Sequence, residues 1–217
     1  MIKLVIFDLD GTVCNTIDDL AASTNHALAV LGYPTHPVEA YKYFVGNGMS
    51  NLIYRALPEG HKSEEECSKA KKLMLGHYET HFADKSAPYE GIPDLLKTLK
   101  RDGIKIAVCT NKAHYMAVEI AQKIFGGIFD AVMGQGDEYP LKPDPTSTKM
   151  LMERFDSGPE ETLFVGDSGV DMQTAHSCSL NSIGVLWGFR TEKELKENGA
   201  SFIAEAPTDI LTIIKNI

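Results

Sequence analysis

Short apolar runs and longer helical patterns alternate along the chain. Lys3–Phe7 reads KLVIF, and further runs of strand length follow at Ile104–Cys109, Ala131–Met133, Leu163–Val165 and Ser182–Leu186. Their hydrophobicity is continuous rather than alternating, as expected of parallel strands covered on both faces. Between them, Leu95, Leu96 and Leu99 share one helical face ahead of Gly103, and Met116, Ile120, Lys123 and Ile124 do much the same ahead of Gly126-Gly127. This alternation predicts an α/β fold: a doubly wound parallel sheet, Rossmann-like in its layering.

One segment breaks the pattern. From Thr16 to about Ala83 the signals are helical and no good strand occurs. Ile17, Leu20, Ala21, Ala27, Leu28 and Leu31 recur at helical spacing and stop at Gly32-Tyr33-Pro34. Met49–Leu57 reads as a second short helix and Glu64–Phe82 as a long polar one. The expected organisation is a discontinuous core, residues 1–14 and 85–217, carrying an inserted helical lobe over residues 15–84.

Composition narrows the partners. The 217 residues are 43% hydrophobic and 24% charged, as in an ordinary globular protein. Their net charge of −9 disfavours nucleic acid and anionic lipid, which are usually bound through clustered Lys and Arg. The apolar stretch at the N-terminus is cut short by Asp8, and no run is long enough for a signal sequence or membrane span. Cys14, Cys67, Cys109 and Cys178 form no CxxC pair, so they read as free thiols in a reducing cytoplasm.

The candidate chemistry lies at strand ends, where open α/β sheets bind ligands. The first strand ends in Asp8-Leu9-Asp10-Gly11-Thr12. Carboxylates this close repel unless a cation sits between them. Cys109-Thr110-Asn111-Lys112 follows another strand. It offers a hydroxyl and the backbone amides of a helix start, which suit either a phosphate or a plain N-cap. Lys142-Pro143-Asp144-Pro145 fixes a lysine ahead of the Thr146–Phe155 helix. Gly166-Asp167-Ser168-Gly169-Val170-Asp171 places two carboxylates one helical turn apart. Together these supply hard oxygens for a divalent ion, a hydroxyl, an amide-rich turn and an ammonium, the set that phosphoryl transfer requires.

DxDGT, a strand-terminal TN, KPDP and GDSxxD, in this order, resemble the four motifs of the haloacid dehalogenase-like hydrolase superfamily. The insertion resembles that family's helical cap. Gly46-Asn47-Gly48, Tyr54-Arg55-Ala56-Leu57, Ile183-Gly184-Val185 and Trp187-Gly188-Phe189-Arg190 are similar to its phosphoglycolate phosphatase-like branch. The resemblance implies that Asp8 attacks phosphorus and that Asp10 protonates the leaving oxygen, then activates water. It implies that Thr110 and Lys142 hold the phosphoryl oxygens, with Gly11, Asn111 and Arg55 as further substrate contacts. Mg²⁺ would lie on Asp8, the Asp10 carbonyl and Asp167, with Asp171 assisting directly or through water. An acid at Asp10 favours phosphate esters or anhydrides over carbon–halogen bonds.

Three stretches depart from the family's pattern: Cys14-Asn15-Thr16 at the hinge, Cys178-Ser179 after the fourth motif, and the weakly matching Arg55. The expectation is a cytoplasmic Mg²⁺-dependent phosphatase of a small phosphorylated metabolite of the phosphoglycolate type, as a monomer or homodimer. A phosphosugar mutase, a pyrophosphatase or nucleotidase, and a non-catalytic regulator are the alternatives. His77 and His81 occur in HYETH rather than HExxH, so they read as solvated helix histidines rather than zinc ligands.

Overall fold

A computed structural model describes residues 1–217. Strand β1 (Leu4–Phe7) is followed by a two-residue strand β2 (Cys14–Asn15) and four helices: α1 (Ile17–Val30), α2 (Val38–Phe44), α3 (Gly48–Ala56) and α4 (Glu64–His81). The short β3 (Ala87–Pro88) leads to α5 (Ile92–Arg101), β4 (Lys105–Ala113), α6 (His114–Phe125), β5 (Ala131–Gln135) and α7 (Thr146–Arg154). A 3₁₀ turn, Pro159–Glu161, precedes β6 (Thr162–Gly166). The chain finishes with α8 (Gly169–Ser177), β7 (Asn181–Val185), α9 (Glu192–Glu197), β8 (Phe202–Ala204) and α10 (Pro207–Asn216). No helix is long and apolar enough to cross a membrane.

Six strands form one parallel sheet in the order β5-β4-β1-β6-β7-β8. β1 is central because all four of its side chains are apolar and fully buried. Val5 and Phe7 face one hydrophobic core, with Leu95, Leu96 and Leu99 of α5; Leu4 and Ile6 face another, with Leu151 and Phe164. Each such side chain contributes roughly 1.5–3 kcal/mol over its exposed state. In register, Phe7 lies beside Val108 of β4 and Val165 of β6. The residues that follow these three strands therefore share one sheet edge.

The larger core runs on without a break into α1–α4, through Leu20, Leu28, Leu52, Ile53, Met74 and Tyr78. The chain leaves the sheet at β2 and returns at β3, and these two strands pair antiparallel, Cys14 with Pro88 and Asn15 with Ala87. Asp19, in the first turn of α1 and 2% exposed, secures the return. Its carboxylate accepts from Lys85 N at 3.1 Å, Ser86 N at 2.8 Å and Ser86 Oγ at 2.7 Å.

Three features differ from the sequence expectation. β4 does not stop at Cys109 but continues to Ala113, and α6 begins at His114. Cys109 pairs with Met133 and Ala113 with Gln135, so four steps on β4 oppose two on β5, and Thr110–Lys112 form a bulge. Gly134 makes room: a Cβ there would lie 2.6 Å from the Lys112 carbonyl oxygen. β8 is an additional strand, a three-residue edge too short to carry a pattern of its own. His77 is half-buried rather than solvated. It stacks between His26 and His81 at ring separations of 4.3 and 4.0 Å, and burial followed by these two rings lowers its pKa.

Asp19→Ala leaves three backbone or hydroxyl donors without their acceptor. It should lower the unfolding free energy by about 2–3 kcal/mol, read as a shifted midpoint in urea with an unchanged slope.

Candidate active site

Asp8 directly follows β1, and its N–H donates to Val165 O at 2.9 Å, so the sheet ladder sets its position. Asp167 directly follows β6. Asp171 is the third residue of α8 and completes a capping box: Ser168 N and Oγ donate to its Oδ2 at 3.0 and 2.6 Å. Carboxylate oxygens of Asp8, Asp167 and Asp171 all lie within 4.8 Å of one another, and all three residues are buried.

Glycines make this packing possible. A Cβ on Gly11, whose φ is +87°, would lie 2.4 Å from Asp167 Oδ2, and one on Gly166 would lie 2.3 Å from the Asp171 Cβ. Gly188 is equally confined, 2.2 Å from the Asp167 Cβ. Asp167 is held by Thr12 Oγ1, which donates to Oδ1 at 3.1 Å, and by Phe189 N, which donates to Oδ2 at 2.7 Å.

Lys142, with its side chain 3% exposed, is the ammonium inside this cluster: Nζ lies 2.6 Å from Asp171 Oδ1 and 2.9 Å from Asp8 Oδ1. Both Asp171 oxygens are thus occupied. Asp8 Oδ1 has the ionic contact but no directed hydrogen bond, although it is buried. Asn111 steadies Lys142 from both sides: its Oδ1 accepts from Lys142 N at 2.7 Å and its Nδ2 donates to Lys142 O at 3.2 Å. The same Nδ2 donates to Gly46 O, at 3.0 Å, in the helical segment.

Burial pushes the Asp8 carboxyl up to about 6, opposed by Lys142 and reinforced by Asp171. Burial, then Asp171 and Asp8, push Asp167 up to about 8. Burial works against the Lys142 ammonium, but Asp171 and Asp8 outweigh it and hold its pKa above the ordinary lysine value. One lysine facing three carboxylates leaves an excess of buried negative charge. A divalent cation on Asp8 and Asp167 would remove it.

The cluster opens into a cleft between the sheet edge and the helical segment. Asp8, Asp10, Thr110, Asn111 and Asp167 line its sheet side, while Leu20, Val45, Met49 and Leu52 line the helical side. Two expected substrate contacts fall elsewhere. Gly11 is spent on accommodating Asp167 and does not line the cleft. Arg55 does not line the cleft but an adjoining cavity, with Ser168 and Arg190: Nη1 donates to Tyr43 O and Phe44 O at 3.1 Å, and Nη2 to Asn47 Oδ1 at 3.0 Å, so it caps the end of α2. Arg190 lines the cleft in its place, and its Nη2 donates to Val45 O at 2.8 Å. Lys112 and Ser168 also line it. The available signal for Lys112 is a charged residue within an otherwise strand-like run.

This arrangement is that of a haloacid dehalogenase-like hydrolase. The chain belongs to that family, whose sequence profile matches residues 5–185. A phosphoglycolate phosphatase of Mannheimia succiniciproducens is 34% identical over 220 residues, covering 98% of each chain. One from Pseudomonas putida is 32% identical over 210 residues, 94% of this chain and 76% of that protein. The crystal structure of a predicted phosphoglycolate phosphatase from Haemophilus somnus superposes with a TM-score of 0.91 at 30% identity, covering 98% of each chain. The chain is an enzyme, a phosphatase of this family.

Both raised carboxyls bind a proton in the folded state that they release at about 3.8 when unfolded. The metal-free fold therefore loses stability as pH rises toward the folded values. Its melting temperature should fall between about pH 5 and pH 8, and the fall should shrink in Asp167→Asn. A melting temperature that rises across this range in the wild type, or a fall unchanged in the variant, contradicts the assignment.

Proposed function

We propose that this chain is a Mg²⁺-dependent phosphatase that hydrolyses a small phosphorylated metabolite, best a phosphoglycolate-type monoester, through an aspartyl-phosphate on Asp8. The observation that carries this reading is a buried Asp8 oxygen with no directed hydrogen bond, 2.9 Å from Lys142 and beside Asp167, at the floor of the cleft.

Asp8 attacks phosphorus while the ester P–O bond breaks, and Asp10 gives the leaving oxygen its proton. Asp10 then takes a proton from water, which attacks phosphorus and returns Asp8 as a carboxylate. Thr110, through its hydroxyl, and Lys142, through its ammonium, hold the phosphoryl oxygens. Asn111 contributes by fixing Lys142.

Asp8, Asp167 and the Asp10 main-chain carbonyl are the groups suited to Mg²⁺. When bound, the ion neutralises charge on the carboxylates and the phosphoryl group. Asp171, with both oxygens occupied by Lys142 and Ser168, orients the lysine and reaches the ion only through water.

Residues 15–84 serve as the cap over this site, and their apolar wall of Leu20, Val45, Met49 and Leu52 excludes bulk water around a compact substrate. The metabolite identity rests on the phosphoglycolate phosphatases to which the chain is similar. We place the enzyme in the cytoplasm, acting on small molecules rather than nucleic acid or membrane.

Phosphate release with Mg²⁺ should be greatest for phosphoglycolate in a panel that includes sugar phosphates, nucleoside monophosphates and pyrophosphate. Asp8→Asn should lower turnover at least about 10³-fold; undiminished turnover would remove Asp8 as nucleophile. In kcat/KM, which reports the steps through departure of the leaving group, Asp10→Ala should hurt alkyl phosphates far more than acetyl phosphate, whose leaving group needs no proton.

A further inference from the structure

The bulge in β4 turns a lysine inward where a strand would ordinarily bury an apolar side chain. Lys112 is 1% exposed at its side chain, and its Nζ donates to both oxygens of Asp10, at 3.0 and 3.1 Å. The Thr16 hydroxyl donates to Asp10 Oδ1 at 2.6 Å. On its other side the ammonium stands 4.9 Å from the ring centre of Tyr78, a fully buried residue of α4.

A buried lysine is costly to desolvate, and the ion pair it forms adds little net stability over an apolar side chain. Packing therefore gives no reason for it. Geometry gives one. Asp10 precedes a glycine in a tight turn, and a lone carboxyl there has free rotation about its side-chain bonds. Two bonds from Lys112 and one from Thr16 remove that freedom. The third face of the ammonium rests on an aromatic ring carried by the helical segment, so Lys112 is held from both sides of the cleft.

We propose that Lys112 is the positioning residue for Asp10: with Tyr78 behind it, it fixes where the Asp10 carboxyl stands at the cleft and so how that carboxyl meets the leaving oxygen. This rests on the reading of Asp10 as the acid–base group. Lys112 itself transfers no proton and forms no bond to substrate.

The test compares Lys112→Met, Asp10→Asn and the double variant on an alkyl phosphate and on acetyl phosphate, each with Mg²⁺. Lys112→Met should lower kcat/KM for the alkyl ester about 10²-fold, a parameter that ends at departure of the leaving group, and leave its KM within about threefold. The loss on acetyl phosphate should be at least about tenfold smaller. The double variant should be no slower than Asp10→Asn alone, since the lysine acts through that carboxyl. Lys112→Arg, which can still donate twice to a carboxylate, should recover part of the alkyl-ester rate. Equal losses on both substrates, a loss confined to KM, or losses that multiply in the double variant overturn the proposal. If Asp10→Asn itself loses equally on both substrates, the acid–base reading fails instead. Where Lys112→Met does not unfold cooperatively, Lys112→Gln replaces it in the same comparison, and the same losses support or overturn the proposal.

Discussion

The constraint on which this structure depends is the burial of three carboxylates around one ammonium. Asp8, Asp167 and Asp171 come within 4.8 Å of one another, and Lys142 touches two of them. Such a cluster is unfavourable in isolation, and the surrounding chain is shaped to hold it. β1 and β6 bring two of the acids together through their shared register. Glycines at 11, 166 and 188 let the backbone close on Asp167 and Asp171 where any Cβ would collide. Asp171 is immobilised by its own helix cap, and Lys142 by the amide of Asn111. Like charges held at fixed, short distances are what make the site ready for a cation and a phosphoryl group.

The helical segment joins this centre through polar ties as well as through the hydrophobic core it shares with the sheet. Thr16 reaches Asp10, Asp19 holds residues 85 and 86, Asn111 reaches Gly46 and Arg190 reaches Val45. Each tie links a residue near the sheet edge to the segment that walls the cleft. In the proposed reading, the substrate's non-phosphoryl portion would meet a surface whose position is coupled to the acidic cluster.

Much of this was legible in the sequence. The buried parallel strands announced themselves by continuous apolar runs, and the strand-end acids by having no packing value. The relation between Asp8, Lys142, Asp167 and Asp171 follows from that topology. What escaped depends on contacts that no local pattern encodes. The bulge at Thr110–Lys112 requires Gly134 on a neighbouring strand, so β4 looked complete at Cys109. Arg55 and Arg190 are both exposed-looking arginines near turns. Only the fold shows that the first caps α2 while the second lines the cleft. Gly11 was expected among the substrate contacts, whereas its missing side chain is needed for the approach of Asp167.

In the proposed reading, the acidic cluster binds one divalent cation and releases a proton as it does so. Calorimetric titration of Mg²⁺ into the metal-free protein at about pH 7, in two buffers of different ionisation enthalpy, measures both events. With Asp8 raised to about 6 and Asp167 to about 8, one ion should bind per chain with release of about one proton. Binding without proton release, or the same binding and release in Asp167→Asn, would contradict it.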